Sequence, residues 1–181
     1  MKIRKKINWG IVLFFFLVVL VAGICVFDMI SYSSRKKTAE DRAKPFVTQL
    51  AALYTWPKDL PVPDPSEYER NAEKYLSSFD PAYEKVRPYL FESNVLKEEI
   101  KTDAASFMRD YLYDGAVPEQ VSFTPVFDKI LISKGTARIE LKISSKIKLS
   151  DGKTEDRMIP CRIMMEEADG EWIVTDLYRE D

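Results

Sequence analysis

The chain has no histidine, two cysteines and six glycines among its 181 residues. Without an imidazole there is no histidine acid–base catalyst, no Ser-His or Cys-His dyad and no zinc finger. Two cysteines, one of them inside an apolar run, exclude an internal disulfide framework. So few glycines leave no glycine-rich loop to cradle a phosphate. Charge of one sign is also missing: 27 basic and 29 acidic side chains give a net −2, so there is no overall pull towards nucleic acid. The chain is nonetheless 46% hydrophobic, too apolar for a disordered protein and long enough for one domain with appendages.

The strongest signal is at the start. Ile7 to Phe27 is a run of 21 residues without a charge. At a rise of about 1.5 Å per residue it spans the ~30 Å hydrocarbon core of a bilayer. Trp9 and Tyr32 sit where the interfacial aromatic belt belongs. A cleaved signal has an apolar stretch of about 7–15 residues followed by a small-x-small site. Here the run is longer, and Asp28, Met29 and Ile30 follow it. A lipoprotein signal puts a small residue before its cysteine, where this chain has Ile24 before Cys25. The reading is therefore an uncleaved single span at 7–30, with Ile7, Trp9, Phe14, Phe15, Phe16, Leu17 and Phe27 as its bilayer anchors.

Both flanks are basic. Lys2, Arg4, Lys5 and Lys6 abut the span, whereas Arg35 comes eight residues beyond Phe27 and its basic neighbours are diluted by Glu40 and Asp41. A short, dense basic tail favours a cytoplasmic N-terminus and an extracytoplasmic C-terminal domain. Setting the four tail charges aside takes the net −2 to −6 for the rest, which argues against nucleic acid or anionic lipid as that domain's main partner. Its lone cysteine, Cys161, has no internal partner, which fits a bacterial envelope.

Residues 31–44 read as a juxtamembrane stalk and 45–181 as one α+β domain. Pro45 is expected to kink the helix or to start a new one. Phe46, Val47, Leu50, Leu53 and Tyr54 then recur at helical spacing. Four prolines within the nine residues from Pro57 to Pro65 predict an extended connector. Ser66 and Glu69 form an S-x-x-E capping box, opening a helix with Tyr68, Ala72, Tyr75, Leu76 and Phe79 on its inner face. Asp80-Pro81 restarts the chain as N-cap and first helical residue, and Tyr83, Val86, Leu90 and Phe91 follow. Leu96 to Tyr111 marks a longer helix, ended by Asp114-Gly115.

Beyond Val121 the apolar period changes from 3.6 to 2. Odd positions from Ala137 to Leu149 are apolar apart from Ser145, and even ones are polar, so one face is buried and one wet. Ser150-Asp151-Gly152 and Asp169-Gly170 supply turns, and a strand bent at Pro125 precedes them. The expectation is a four-stranded antiparallel sheet with the helices packed on its apolar face.

Several groups of residues have the types and spacing that chemistry could use. Asp103, Asp110 and Asp114 share a helix face near Tyr111 and Tyr113, as an acid–base pair with a phenol requires; a solvated helix face has the same pattern. Met158, Met164 and Met165 surround Cys161 in sequence, the soft donors of a copper(I) site and equally the fillers of a core. Asp151 to Asp156 lacks calcium-loop spacing. Arg138, Lys142, Lys146 and Lys148 form a basic stripe on one strand face, the candidate surface for a partner, though exposed lysines on strands also block aggregation. No catalytic, cofactor or metal residue is assigned.

The order of elements, and above all the run Ala168-Asp-Gly-Glu-Trp172-Ile-Val-Thr-Asp176, resembles the nuclear transport factor 2-like superfamily, the cone-shaped α+β fold of ketosteroid isomerase. The resemblance covers roughly residues 45–181 and implies a curved sheet closed by a final hairpin. Some members are enzymes; no catalytic residue of theirs maps onto this chain. With its basic tail, single span and outward domain the chain also resembles the bitopic channel subunits of type IV secretion and conjugation machines. It lacks the Asn-Pro-x-Gly motif of many Gram-negative members. That resemblance implies a non-enzymatic scaffold that self-associates and contacts other membrane-complex proteins, with no cofactor. Two alternatives are a small-molecule binding module with an apolar pocket in the cone and an isomerase-type enzyme.

Overall fold

The computed structural model describes residues 9–179; the tail at 1–6 and Ile7 lie outside the described residues, as do the side chains of residues 9–12 and of Asn94. The chain begins with one helix, α1 (Trp9–Leu50), of 42 residues. Its apolar stretch is long enough to cross a membrane, and none of it is buried. Phe14, Phe15, Phe16 and Phe27 are each more than 60% exposed.

Pro45, expected to kink or start a helix, lies inside α1, which runs through it unbroken. Proline removes one backbone bond and crowds the preceding turn, at a cost of about 3 kcal/mol. The turn around it offsets that cost, because Ala43, Phe46 and Val47 are fully buried and Leu50 nearly so. Ala39 and Ala43, in the segment read as a stalk, have no exposed surface. A 3₁₀ turn, Ala51–Tyr54, ends the element.

After the proline-rich connector come α2 (Pro65–Arg70), α3 (Ala72–Ser78) and α4 (Asp80–Val86). The capping box is displaced by two residues from its expected place. Asp64 is the N-cap, accepting from the Glu67 amide at 2.9 Å, and Pro65 opens the helix. Ser66 sits inside α2 and donates to Asp64 at 2.6 Å. The helix breaks at Asn71, so Ala72 is exposed rather than on the inner face, whereas Tyr68, Tyr75 and Phe79 are buried. Asp80 is the first residue of α4 and not its cap. Phe91 is 53% exposed, because Leu90 turns inward as an isolated parallel bridge to Val174. Helix α5 (Asn94–Tyr113) is capped by Ser93 and ends at Asp114 before Gly115, whose φ of +79° needs glycine.

Four strands follow: β1 (Pro118–Ser133), β2 (Thr136–Leu149), β3 (Thr154–Ala168) and β4 (Glu171–Arg179). They form a curved antiparallel meander in the order β1-β2-β3-β4. The pairing runs through Pro125 without a break in register; the register of β1 shifts between Pro118 and Gln120 and between Phe127 and Lys129. Proline is tolerated there because β1 is an edge strand. Along β2 the alternation is complete: Ala137, Ile139, Leu141, Ile143, Ser145, Ile147 and Leu149 are all buried. Ala137, Ile139, Leu141 and Ile143, with Ile163, Met165, Trp172 and Val174, join residues of α1 and α5 in the core, whereas Ile147 and Leu149 form a smaller cluster with Tyr111 and Ala116.

Candidate functional site

Two surfaces carry the residues of interest. The first is the open face of the sheet. β-alternation places Arg138, Lys142, Lys146 and Lys148 together there, all exposed. Two of the four are already paired. Arg138 donates to Glu140 at 2.7 Å, and Lys142 lies 3.5 Å from Asp128 on β1. Lys146 stands across from Asp156 on β3 and Ser122 on β1, and among the described residues neither it nor Lys148 forms an ion pair. Apolar side chains interleave with the cations. Val126 lies opposite Lys142, Leu131 opposite Arg138 and Met158 opposite Ser144, and these three are 45%, 42% and 55% exposed. A face that mixes apolar and cationic groups in register suits another protein surface better than water alone.

The second is a cleft of about 680 Å³ between α5 and β4, bordered by Tyr54, Asp103, Asp110, Asp176, Tyr178 and Arg179 among others. Tyr54, at the end of the 3₁₀ turn, donates its phenol to Asp103 on α5. Arg179, at the end of β4, pairs with the same carboxylate, and its guanidinium lies 5.6 Å from the Tyr54 ring centre. Burial pushes the Tyr54 phenol up to about 12, with Arg179 pulling the other way. Asp103 is thus held by two donors, and the trio ties three elements together at the mouth of the cleft.

The phenols expected beside Asp103 are engaged elsewhere. Tyr111 donates to Glu155 at 2.7 Å, and Tyr113 to Glu69 at 2.9 Å. Burial and the Glu155 carboxylate raise the Tyr111 phenol, and the bond from Tyr111 lowers Glu155. Asp110 reaches the cleft and Asp114 caps the helix, so the three aspartates do not converge. Strand alternation likewise separates the soft donors. Cys161 and Met165 are buried, whereas Met158 is on the open face and Met164 is only half-buried. Among the described residues no group of three or more Cys, Asp or Glu is arranged to hold a metal ion.

One charge is buried without any sign of it in the sequence. Lys101 is 5% exposed and donates to Asp80 at 2.9 Å, joining α5 to α4. Its helical position among polar neighbours offered no signal of burial.

No family model matches the chain, and no curated protein does. Solved structures similar to it include the intermembrane space region of the chloroplast protein ARC6 (20% identity, TM-score 0.34, 66% of this chain and 98% of that one). Another is the association domain of C. elegans CaMKII (16% identity, TM-score 0.38, 64% and 94%). A third is an NTF-2-like protein of unknown function from Shewanella oneidensis MR-1 (12% identity, TM-score 0.36, 65% and 99%).

Proposed function

We propose that this chain is a non-enzymatic, single-span membrane protein whose C-terminal domain is an assembly module on the extracytoplasmic side. The observation that carries the reading is the continuity of α1. The helix whose apolar half is entirely exposed supplies, in its other half, the fully buried Ala43, Phe46 and Val47 of the domain. Such a helix makes no sense in water on one side and anchors a folded domain on the other. The mechanism is positional: the bilayer fixes the domain, and the mixed apolar and cationic sheet face docks a second copy or other membrane-complex proteins. The finer reading, a channel subunit of a type IV secretion or conjugation machine in a bacterial envelope, draws on the resemblance of the whole layout.

The test is extraction of the full-length protein from native membranes in mild detergent after light cross-linking. Resistance to carbonate washing together with a complex containing other channel subunits supports the reading. Recovery as a lone monomer overturns the assembly role.

A second reading, a small-molecule binding module, is favoured by the cleft at Asp103, which is large enough for a ligand. A thermal shift of the full chain with apolar ligands, abolished by Asp103→Asn, supports that reading; no shift counts against it.

A further inference from the structure

The end of the domain nearest the apolar stretch is tied to α1 by three of its side chains. Arg35 binds Glu167 at 2.5 Å, Thr38 accepts from the Trp172 indole at 3.1 Å, and Arg42 binds Glu171 at 3.1 Å. Arg42 also donates to the carbonyls of Pro88 and Trp172, at 2.5 and 3.3 Å. These contacts hold the β3–β4 turn at Asp169-Gly170 against the helix. The β1–β2 turn at Lys134-Gly135 is held beside it, because the Glu167 amide donates to the Gly135 carbonyl at 2.8 Å.

The height of these turns above the apolar stretch follows from helix geometry. Met29 and Ile30 continue the exposed apolar surface, and Tyr32 follows them. Arg35 is five residues beyond Ile30, a rise of about 7.5 Å. The polar layer of one leaflet is about 5–7 Å thick. α1 has no break between the two points that would swing the domain away. Of the charges at this end, Glu167 and Glu171 are occupied by Arg35 and Arg42. Lys36, Lys37 and Lys134 are exposed and form no ion pair among the described residues; Asp28, Asp41, Glu166 and Asp169 are the acids left at the same end, Asp41 lying beside Gly170.

We propose that the domain rests on the bilayer surface through its β1–β2 and β3–β4 turns, with Lys36, Lys37 and Lys134 contacting lipid phosphates. This rests on the reading of α1 as a membrane span. The β2–β3 turn, Ser150 to Lys153, lies at the opposite end of the meander and stands clear of the lipid.

The experiment uses the full chain carrying Cys25→Ala, reconstituted in vesicles of phosphatidylcholine and phosphatidylglycerol; Cys161 is buried and stays. A fluorophore is placed in turn at Val19→Cys, Ser133→Cys and Lys153→Cys. Lipids with nitroxide on the acyl chain quench the Val19 label if α1 spans the bilayer; absence of that quenching overturns the span itself. Lipids with nitroxide on the headgroup should quench the Ser133 label several-fold more than the Lys153 label. Equal quenching at these two sites, with Val19 quenched, overturns the proposal alone. Changing Lys36, Lys37 and Lys134 to Gln should lower the Ser133 quenching; unchanged quenching overturns the contact with phosphate.

Discussion

The indole of Trp172 donates to the hydroxyl of Thr38 at 3.1 Å, joining the last strand to the helix that carries the apolar stretch. Trp172 is 3% exposed, and the Arg35 guanidinium lies 5.7 Å from the centre of its ring. The contact makes the final hairpin a clamp on α1, so the sheet and the helix keep one orientation.

Removing that clamp should cost stability in a graded way. Thr38→Val removes the hydroxyl that accepts from the Trp172 indole and donates to the Arg35 carbonyl, and should cost about 1–2 kcal/mol. Trp172→Ala also empties a packed site and should cost about 3–5 kcal/mol. Denaturant unfolding of the full-length protein in detergent measures both. Equal effects, or none from Trp172→Ala, would remove the clamp from the account.

Tyr54 and Tyr68 set a high-pH limit on the fold. Burial raises both phenols from 10 to about 12, so the native state holds their protons more tightly than the unfolded chain. Their contribution is constant below pH 10 and is lost as pH rises from 10 to about 12. Unfolding free energy followed across that window should fall, and less steeply in Tyr54→Phe. An unchanged slope in that variant would show that Tyr54 titrates as it does in water.

Pro45 occupies a helix interior that any other residue would satisfy better. Pro45→Ala lets its amide bond back to the Asp41 carbonyl and should raise stability by about 1–3 kcal/mol. A loss of stability would mean that the ring's own packing outweighs the missing bond.

Lys101 and Asp80 should respond unequally. Asp80→Ala leaves a buried ammonium without its partner and should cost about 1–3 kcal/mol. Lys101→Met keeps the volume, removes the buried charge and should fall within about 1 kcal/mol of the parent. A larger cost for Lys101→Met than for Asp80→Ala would reverse this assignment.

Features that depend on one element were legible in the sequence. The alternation of β2 and the stop of α5 at Asp114-Gly115 both follow from local rules, and the structure has them where those rules put them. The α+β layout follows too, because an apolar sheet face must be covered by whatever helices the chain has. Features decided by tertiary contact were not. Pro45 stays helical because Phe46 and Val47 are buried, which no local signal announces. Asp64 won the cap from Ser66 because Pro65 suits the first helical position. The Tyr54–Asp103–Arg179 trio gathers residues from three distant elements, none of which stands out in its own segment. The basic stripe was legible as a stripe, but its pairing with Glu140 and Asp128 belongs to side-chain geometry and to the neighbouring strand.

The central claim is that a membrane-held domain assembles through its open sheet face. A photo-cross-linking residue replacing Lys146 in the full-length protein, activated in native membranes, tests it most directly. A second chain carries the cross-linker at Lys153, on the β2–β3 turn. The account predicts an adduct of discrete mass from position 146, weakened when Lys148 is changed to Glu and weak or absent at position 153. A protein that stays monomeric at 146, or forms the same adducts from both positions, contradicts it.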